Sequence, residues 1–553
     1  MIHFYPNCTL PPTAGRFVAA PDVRGTLDIV WSCGSILILS CWSIFHPNIP
    51  PQFKPTPKGW HNTRRHLFLF FQKLRWVVSI LVAPEMIMTK AMLDLTSAKA
   101  LQVPLQEFAE KDGVDWSLSH TFFANMGGFQ ICFPQDNEPN RNDPETSILS
   151  QPNPRSVHPP QGKEEFTKSL SDTAGGSILG DKRASSRDIS PHISTDSTDE
   201  TGSVKRKTKA RNPNDLSNTR RRYRRRIQRF NRLFGEMTWQ PNSHHTTMSE
   251  EMLSQYSSMV RGASVYNSSS IQHYNILAME GSVWVLNAPQ LLMARHYGII
   301  ERLPNITCQE IDDKNKGDSL IKVLAVVQII WLIVQLILRF AYHKSASQLE
   351  IMTVAYAVCA CVTYYMLIYQ PQNANTPVCI SARKLKYDIH QLKAIVEVGP
   401  LHFLPFLDFQ LPCIQYNSFP FVADPRKDLV KVNRQTQNYI YLGICVGALI
   451  FGVVHLFAWS FPFPTDAEKL IWRISSFLTA LLPAALNAIW LLANRGNRET
   501  EIHKPWYLTM ALVGISIIVL CRLFIFAEAF RSLYFLSPEA FSSTWASNAP
   551  HVG

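Results

Sequence analysis

The chain has 553 residues, 46% of them hydrophobic and only 17% charged. Soluble domains average about 25% charged residues, so the deficit argues against a purely soluble protein and for a membrane class. The net charge of +12 is local, because 13 Lys or Arg fall between Lys205 and Arg232 with Asp215 as the one acid among them; a chain-wide affinity for nucleic acid is therefore not implied.

A bilayer core takes about 20 mostly apolar residues in a helix. Residues 1–25 hold no such run, and Pro6, Pro11, Pro12 and Pro21 oppose a signal-peptide core. They read as a short external N-terminus, and Asn7-Cys8-Thr9 is a glycosylation acceptor pattern within it. The first transmembrane helix is expected at 26–45. Residues 46–134 read as a cytoplasmic or interfacial segment with a short apolar helix at 74–88. Pro84 and Glu85 interrupt that helix, so it is expected to be re-entrant, interfacial or steeply kinked.

Residues 135–219 are rich in Ser, Asp, Pro, Asn and Lys and read as a disordered linker. At 220–238, Tyr223, Ile227, Phe230, Phe234 and Met237 recur at helical spacing among Arg220, Arg221, Arg222, Arg224, Arg225, Arg226, Arg229 and Arg232. This is a basic amphipathic helix. One reading lays it on an anionic cytoplasmic leaflet; the other leaves it a solvated helix that only obeys the positive-inside rule. No nucleic-acid partner is expected beside six spans. Residues 239–319 read as a small helical cytoplasmic unit, with helical spacing over 283–300.

Further spans are expected at 320–338, 349–368, 439–460, 470–493 and 506–526. The loop at 369–438 carries eight Lys or Arg, and 494–505 adds Arg495, Arg498 and Lys504. The alternate loops hold only Arg339, Lys344 and Lys469. The basic loops are thus expected in the cytoplasm, and the tail at 527–553 outside with the N-terminus. The fold class is all-α: a polytopic membrane bundle of six to seven helices with a large, partly disordered cytoplasmic insertion.

Ionisable groups within spans are costly and stand as functional candidates. Glu85 and His455 are the candidate catalytic acid and base. Asp28, Arg473, Arg522 and Glu528 are expected near one side of the membrane, either as an ion-pair cluster or as separate interfacial anchors. The 11 cysteines show neither a metal nor a disulfide framework. Cys379 and Cys413 are the one conceivable pair, and a buried free thiol is the simpler reading. No metal site is expected, and no cofactor is indicated.

Several strings recur together: RGTLDIVWSC at 24–33, CWSIFHPNIP at 41–50, APE at 83–85, HTFFANMGGF at 120–129, EIDDKNKGD at 310–318 and PHVG at 550–553. In combination they resemble a large fungal family of uncharacterised multi-pass integral membrane proteins. The resemblance implies a topology and no chemistry. The expected role is a sensor or scaffold in the plasma membrane or an endomembrane, with the cytoplasmic insertion as its working part. A membrane-embedded enzyme acting on a lipid or apolar metabolite, and a solute transporter, are the alternatives.

Overall fold

The computed structural model describes residues 24–55, 59–133, 215–241, 252, 254–256, 269–315, 319–383, 388–403, 411–427, 429–493 and 505–542. They belong to one compact unit of the chain, 1–135 with 213–553; the second unit, 136–212, and with it most of the expected disordered linker, lies outside them. Asn7 lies outside them too.

In chain order the elements are α1 (Thr26–Ser43), α2 (Trp60–Val82), α3 (Pro84–Asp112), α4 (Leu118–Asn125), β1 (Phe129–Cys132), α5 (Asp215–Phe234), α6 (Ser269–Ala278), β2 (Val283–Leu286), α7 (Ala288–His296) and α8 (Cys308–Asp313). There follow α9 (Ser319–Ala341), α10 (Gln348–Met366), β3 (Val378–Ser381), α11 (Ile389–Glu397), β4 (Leu401–His402), β5 (Ser418–Phe419), α12 (Leu429–Leu456), α13 (Asp466–Ala493) and α14 (Pro505–Arg531). The architecture is an all-α helix bundle joined to a helical unit that contains a small sheet.

Six of these helices, α1, α9, α10, α12, α13 and α14, are long and apolar enough to cross a membrane. Large apolar side chains stay exposed along them, among them Val323, Ile330, Leu442, Leu449, Leu512 and Leu520. Such a belt needs an apolar cover, and a bilayer supplies it. Inside the bundle, Ile29, Cys33, Leu332, Leu349, Phe451 and Trp472 belong to one buried core. Gly443 and Gly447 of α12 let α3 approach closely. A Cβ at Gly447 would lie 2.7 Å from the Glu85 Cβ, and one at Gly443 would lie 2.9 Å from the Thr89 Cα; small residues four apart serve close helix packing of this kind.

A second core forms the extramembrane unit. It gathers Leu101, Leu105 and Ala109 of α3, Phe129 and Ile131 of β1, Tyr223 and Ile227 of α5, Trp284 of β2, and Leu291 of α7. Strand β1 lies between β2, antiparallel, and β3, parallel. The helical spacing expected over 283–300 holds only from Ala288 onward. Before it, Val283-Trp284-Val285-Leu286 pairs with β1, as a β-branched, aromatic run prefers.

The cysteine expectation is corrected as well. Cys379 is disulfide-bonded to Cys132 across β1 and β3, with a Cα–Cα distance of 5.9 Å. Cys413 is a free thiol. Protein disulfides persist on the oxidising side of a membrane, so the arginine surplus does not by itself assign the compartment.

The apolar stretch at 74–88 is not one short helix. It straddles the end of α2 and the start of α3, which meet at a 108° bend. Phe68 of α2 packs on the extramembrane core, while Trp76, Val77 and Ile80 sit in the bundle core. Helix α3 returns from Ile87 in the bundle core to Leu105 in the extramembrane core. Both limbs thus end on the same core, the arrangement of a re-entrant hairpin. At the far end of the bundle, Arg24 pairs with Glu350 at 2.5 Å and donates its backbone N–H to Phe541 O at 3.0 Å. Arg339 donates to the carbonyls of Ser345 and Ala540 there.

If α2 and α3 enter and leave by one face, single cysteines at His343, Thr465 and Glu539 will react with an impermeant thiol reagent from one side. Cysteines at Gln228 and Glu301 will react only from the other. The measurement uses a background without the exposed Cys308 and Cys361. Between a cysteine placed before α1, at Asp22, and one at Gln228 lie only α1 and the bent pair, so labelling of Asp22→Cys and Gln228→Cys from the same side would mean that the bent pair crosses.

Candidate functional site

Pro84 has no N–H to donate and disfavours helical geometry at Ala83 before it. Ala83 accordingly adopts φ −142° and ψ 72°, and Pro84 starts α3 at the first position of that helix. The break strands the last carbonyls of α2 in the bundle, where water does not reach them. Three donors take them up. Ala83 N–H donates to Ser79 O at 2.8 Å. Tyr356 of α10 donates its hydroxyl to Leu81 O. Arg522 of α14 donates Nη1 to Val82 O at 2.9 Å and to Glu85 Oε2 at 2.6 Å.

Glu85 is buried, sits in the first turn of α3 and faces that helix's positive end. Arg522 is 4% exposed, so the ion pair is shielded from solvent. One edge of its guanidinium is filled. Nε and Nη2 have no hydrogen-bond partner among the described residues. The guanidinium also lies over the Phe451 ring, 5.1 Å from its centroid. Phe451 in turn lies tilted against His455 at 4.5 Å and meets Tyr356 edge-on at 5.0 Å.

His455 is fully buried. Its Nδ1 lies 2.6 Å from Phe451 O, and its own carbonyl accepts from Trp472 Nε1 at 3.2 Å. Its Nε2 has no partner among the described residues. Glu85 and His455 are thus brought into one neighbourhood by Arg522 and Phe451, and Glu85 is committed to the arginine.

Of the two readings for Asp28, Arg473, Arg522 and Glu528, the structure shows no ion-pair cluster of the four. Asp28 Oδ2 accepts from Gly25 N–H at 2.9 Å and caps α1. Arg473 donates to Trp459 O at 2.8 Å and lies over the Trp459 ring. Glu528 lies 3.5 Å from Arg531, one helical turn on. Arg522 lies at the break. Asp28 lies on α1 and Arg473 on α13, while on α14 Arg522 and Glu528 meet different neighbours. The Arg24–Glu350 pair was not anticipated, although Ser347 and Glu350 carry the spacing of a capping box.

Helix α5 also differs from expectation. Its apolar face is not offered to lipid. Tyr223, Ile227 and Phe230 are buried in the extramembrane core, with Met237 after the helix. Arg220 and Arg224 both pair with the buried Glu280. Arg221, Arg222, Arg225, Arg226, Arg229 and Arg232 form its exposed face. The exposed apolar face belongs to α2 instead, through Leu67, Phe70, Phe71, Leu74 and Val78.

His120 of the HTFFANMGGF string is structural. Its Nδ1 accepts from Ser117 N–H at 3.1 Å, and its Nε2 lies 2.7 Å from Ile306 O. Burial holds its pKa below the ordinary 6.5, partly offset by the bond to Ile306. Gly128 follows because a Cβ there would sit 2.3 Å from the Phe123 ring. Among the described residues no group of three His, Cys, Asp or Glu is arranged to hold a metal ion.

Removing one partner of a buried pair strands the other charge, at a cost of about 3–5 kcal/mol. Arg522→Leu is therefore expected to destabilise the protein by that order, read from denaturation in micelles. Combining it with Glu85→Leu removes the stranded carboxylate and is expected to recover part of the loss. An Arg522→Leu protein as stable as wild type would show that the pair does not hold the break together.

A model of a family of unknown function (DUF8562) matches residues 3–151 and 288–395, just under half of the chain. Neither the curated proteins nor the solved structures contain a match. The matched segments include α2, α3, α4 and β1, so the chain is similar to that family through the helix break and the first strand of the sheet.

Proposed function

We propose that the chain is a membrane sensor or scaffold whose extramembrane unit is the working part, oriented by a bundle that anchors it. The observation behind this reading is α3. It is one continuous helix with an arginine–carboxylate clamp near each end. At its start Glu85 meets Arg522 of the bundle. At its last residue Asp112 accepts from Arg295 Nε at 2.9 Å and Nη2 at 2.5 Å, and from Leu303 N–H at 2.8 Å. Between the clamps it carries a buried Lys90–Asp94 pair at 2.7 Å. Ala91 and Ala98 pack with Phe122 and Leu367, and Leu93 packs with Phe419 and Val422. A rod held this way transmits a displacement at one core to the other, since packed cores shift between discrete arrangements and do not deform smoothly. The surplus of Lys and Arg in the loops on the side of the extramembrane unit argues for a cytoplasmic location and the Cys132–Cys379 disulfide for an oxidising one, so the sensor reading carries no compartment.

The test is hydrogen exchange on the full-length protein in lipid nanodiscs. Glu85→Gln weakens the clamp in the bundle. Amide protection is then expected to fall about tenfold in residues 101–112 and in β1, far from the substitution, because they share one cooperative unit with it. A loss confined to the bundle would show that the two cores are uncoupled and would end the sensor reading.

A further inference from the structure

Helices α2 and α5 carry several cations that no other described residue neutralises. Helix α2 holds Arg64, Arg65, Lys73 and Arg75 and no Asp or Glu. Helix α5 holds a single acid, Asp215, at its first residue. Arg222, Arg225, Arg229 and Arg232 of α5 fall at spacings of three, four and three and so share one face. All four are exposed, and none has an ion-pair partner among the described residues. Arg64 and Lys73 have none there either. Each lies over a tryptophan ring instead, Arg64 over Trp60 at 5.3 Å and Lys73 over Trp42 at 4.2 Å.

The end of α5 is fastened to the first half of α2. Arg65 donates Nε to Phe234 O, His61 Nδ1 lies 3.3 Å from Leu233 O, and Phe68 meets Phe230 edge-on at 5.3 Å. Trp76, eight residues after Phe68, is already in the bundle core. That is about 12 Å along the helix. A headgroup layer is about 5–8 Å deep on each side of a bilayer. A bilayer around the bundle therefore sets its headgroups on α2 between Phe68 and Trp76. Lys73 lies in that stretch, beside Trp42 in the last turn of α1. Around it α2 exposes Leu67, Phe70, Phe71 and Leu74. The last turns of α5 lie next to the same stretch, with Leu233 exposed beside Arg232.

We propose that α2 and the arginine face of α5 form one surface that binds anionic phospholipids of the bilayer holding the bundle. Leu67, Phe70 and Phe71 enter the boundary between headgroups and acyl chains, and Lys73 and the α5 arginines bond the phosphates above them. The apolar face of α5 takes no part, since it is buried in the extramembrane core. A nucleic acid or an acidic peptide pairs with the arginines but leaves the phenylalanines of α2 uncovered. A lipid surface satisfies both. This surface does not depend on the sensor reading.

The test uses the full-length protein in nanodiscs of phosphatidylcholine, with or without phosphatidylserine. A bimane label on Gln228→Cys, an exposed position of α5 between Arg225 and Arg232, reports the approach of a nitroxide carried on the choline headgroup. The background lacks the exposed Cys308 and Cys361. Quenching is expected to be at least threefold stronger with phosphatidylserine than without it. Raising the salt from about 0.1 M to about 1 M shortens the screening length from about 10 Å to about 3 Å and is expected to abolish that difference. Arg225→Gln, Arg229→Gln and Arg232→Gln together are expected to abolish it at low salt with the melting temperature unchanged. The same label on Phe71→Cys is expected to be quenched in both lipids. A label at Gln228 or at Phe71 that is quenched in neither lipid would mean that this surface faces bulk water. Equal quenching of the Gln228 label with and without phosphatidylserine, or a difference that survives high salt, would mean that charge is not recognised. Loss of the difference on adding an RNA oligonucleotide equimolar with the protein would assign the face to nucleic acid. Each of these results overturns the proposal, and the salt series decides it even if the triple variant does not fold.

Discussion

Backbone carbonyls released at membrane depth must find donors, and the break at Ala83–Pro84 releases several at once. That requirement explains why a cation is tolerated at Arg522, inside the most apolar of the helices. The guanidinium serves one carbonyl and one carboxylate from the same nitrogen. Tyr356 supplies the neighbouring donor. Neither α10 nor α14 needs these groups for its own helix. They bond to α2 and α3 instead, and so tie the bundle to the bent pair.

The same break gives α3 its direction. A proline at the first helical position costs nothing, since that N–H would be unpaired anyway. The helix then runs 29 residues before Gly113 ends it in the left-handed conformation at φ 67°. Pro104 lies inside it and does not stop it, because α3 is packed against α12, α10 and α4 along its length. Tertiary packing here outweighs a local penalty of about 3 kcal/mol. A buried ion pair at each end adds little net stability by itself. What such pairs contribute is register: shifting α3 by one residue would strand Glu85 and Asp112 together.

The six helices long and apolar enough to cross a membrane were legible because apolar runs of this length have few other uses. Their ends were less so. Helix α12 begins at Leu429, ten residues before the apolar run at 439, because Val432 packs into the extramembrane core. The break within 74–88 was readable from Pro84, and the burial of Glu85 from its apolar surroundings. Its partner was not readable, since Arg522 is 437 residues away and any buried cation would have served. The sheet was hidden for a similar reason. Its three strands have four residues each and come from three distant parts of the chain. Strands so short carry no alternation by which to recognise them.

The basic helix shows where pattern alone misleads. Tyr223, Ile227 and Phe230 at helical spacing mean only that one face of α5 seeks an apolar neighbour; lipid and protein satisfy that demand equally. The structure decides by supplying Glu280, a buried carboxylate that takes Arg220 and Arg224 and turns the apolar face inward. Helix α2 lies against α5 through Phe68, Phe230 and Phe234, and Arg65 donates to Phe234 O. With one face so occupied, α2 leaves Leu67, Phe70, Phe71, Leu74 and Val78 exposed, Phe70 with its ring against Trp42 of α1. A helix that continues directly into the intramembrane break, and carries that stripe, meets the conditions for lying in the membrane interface.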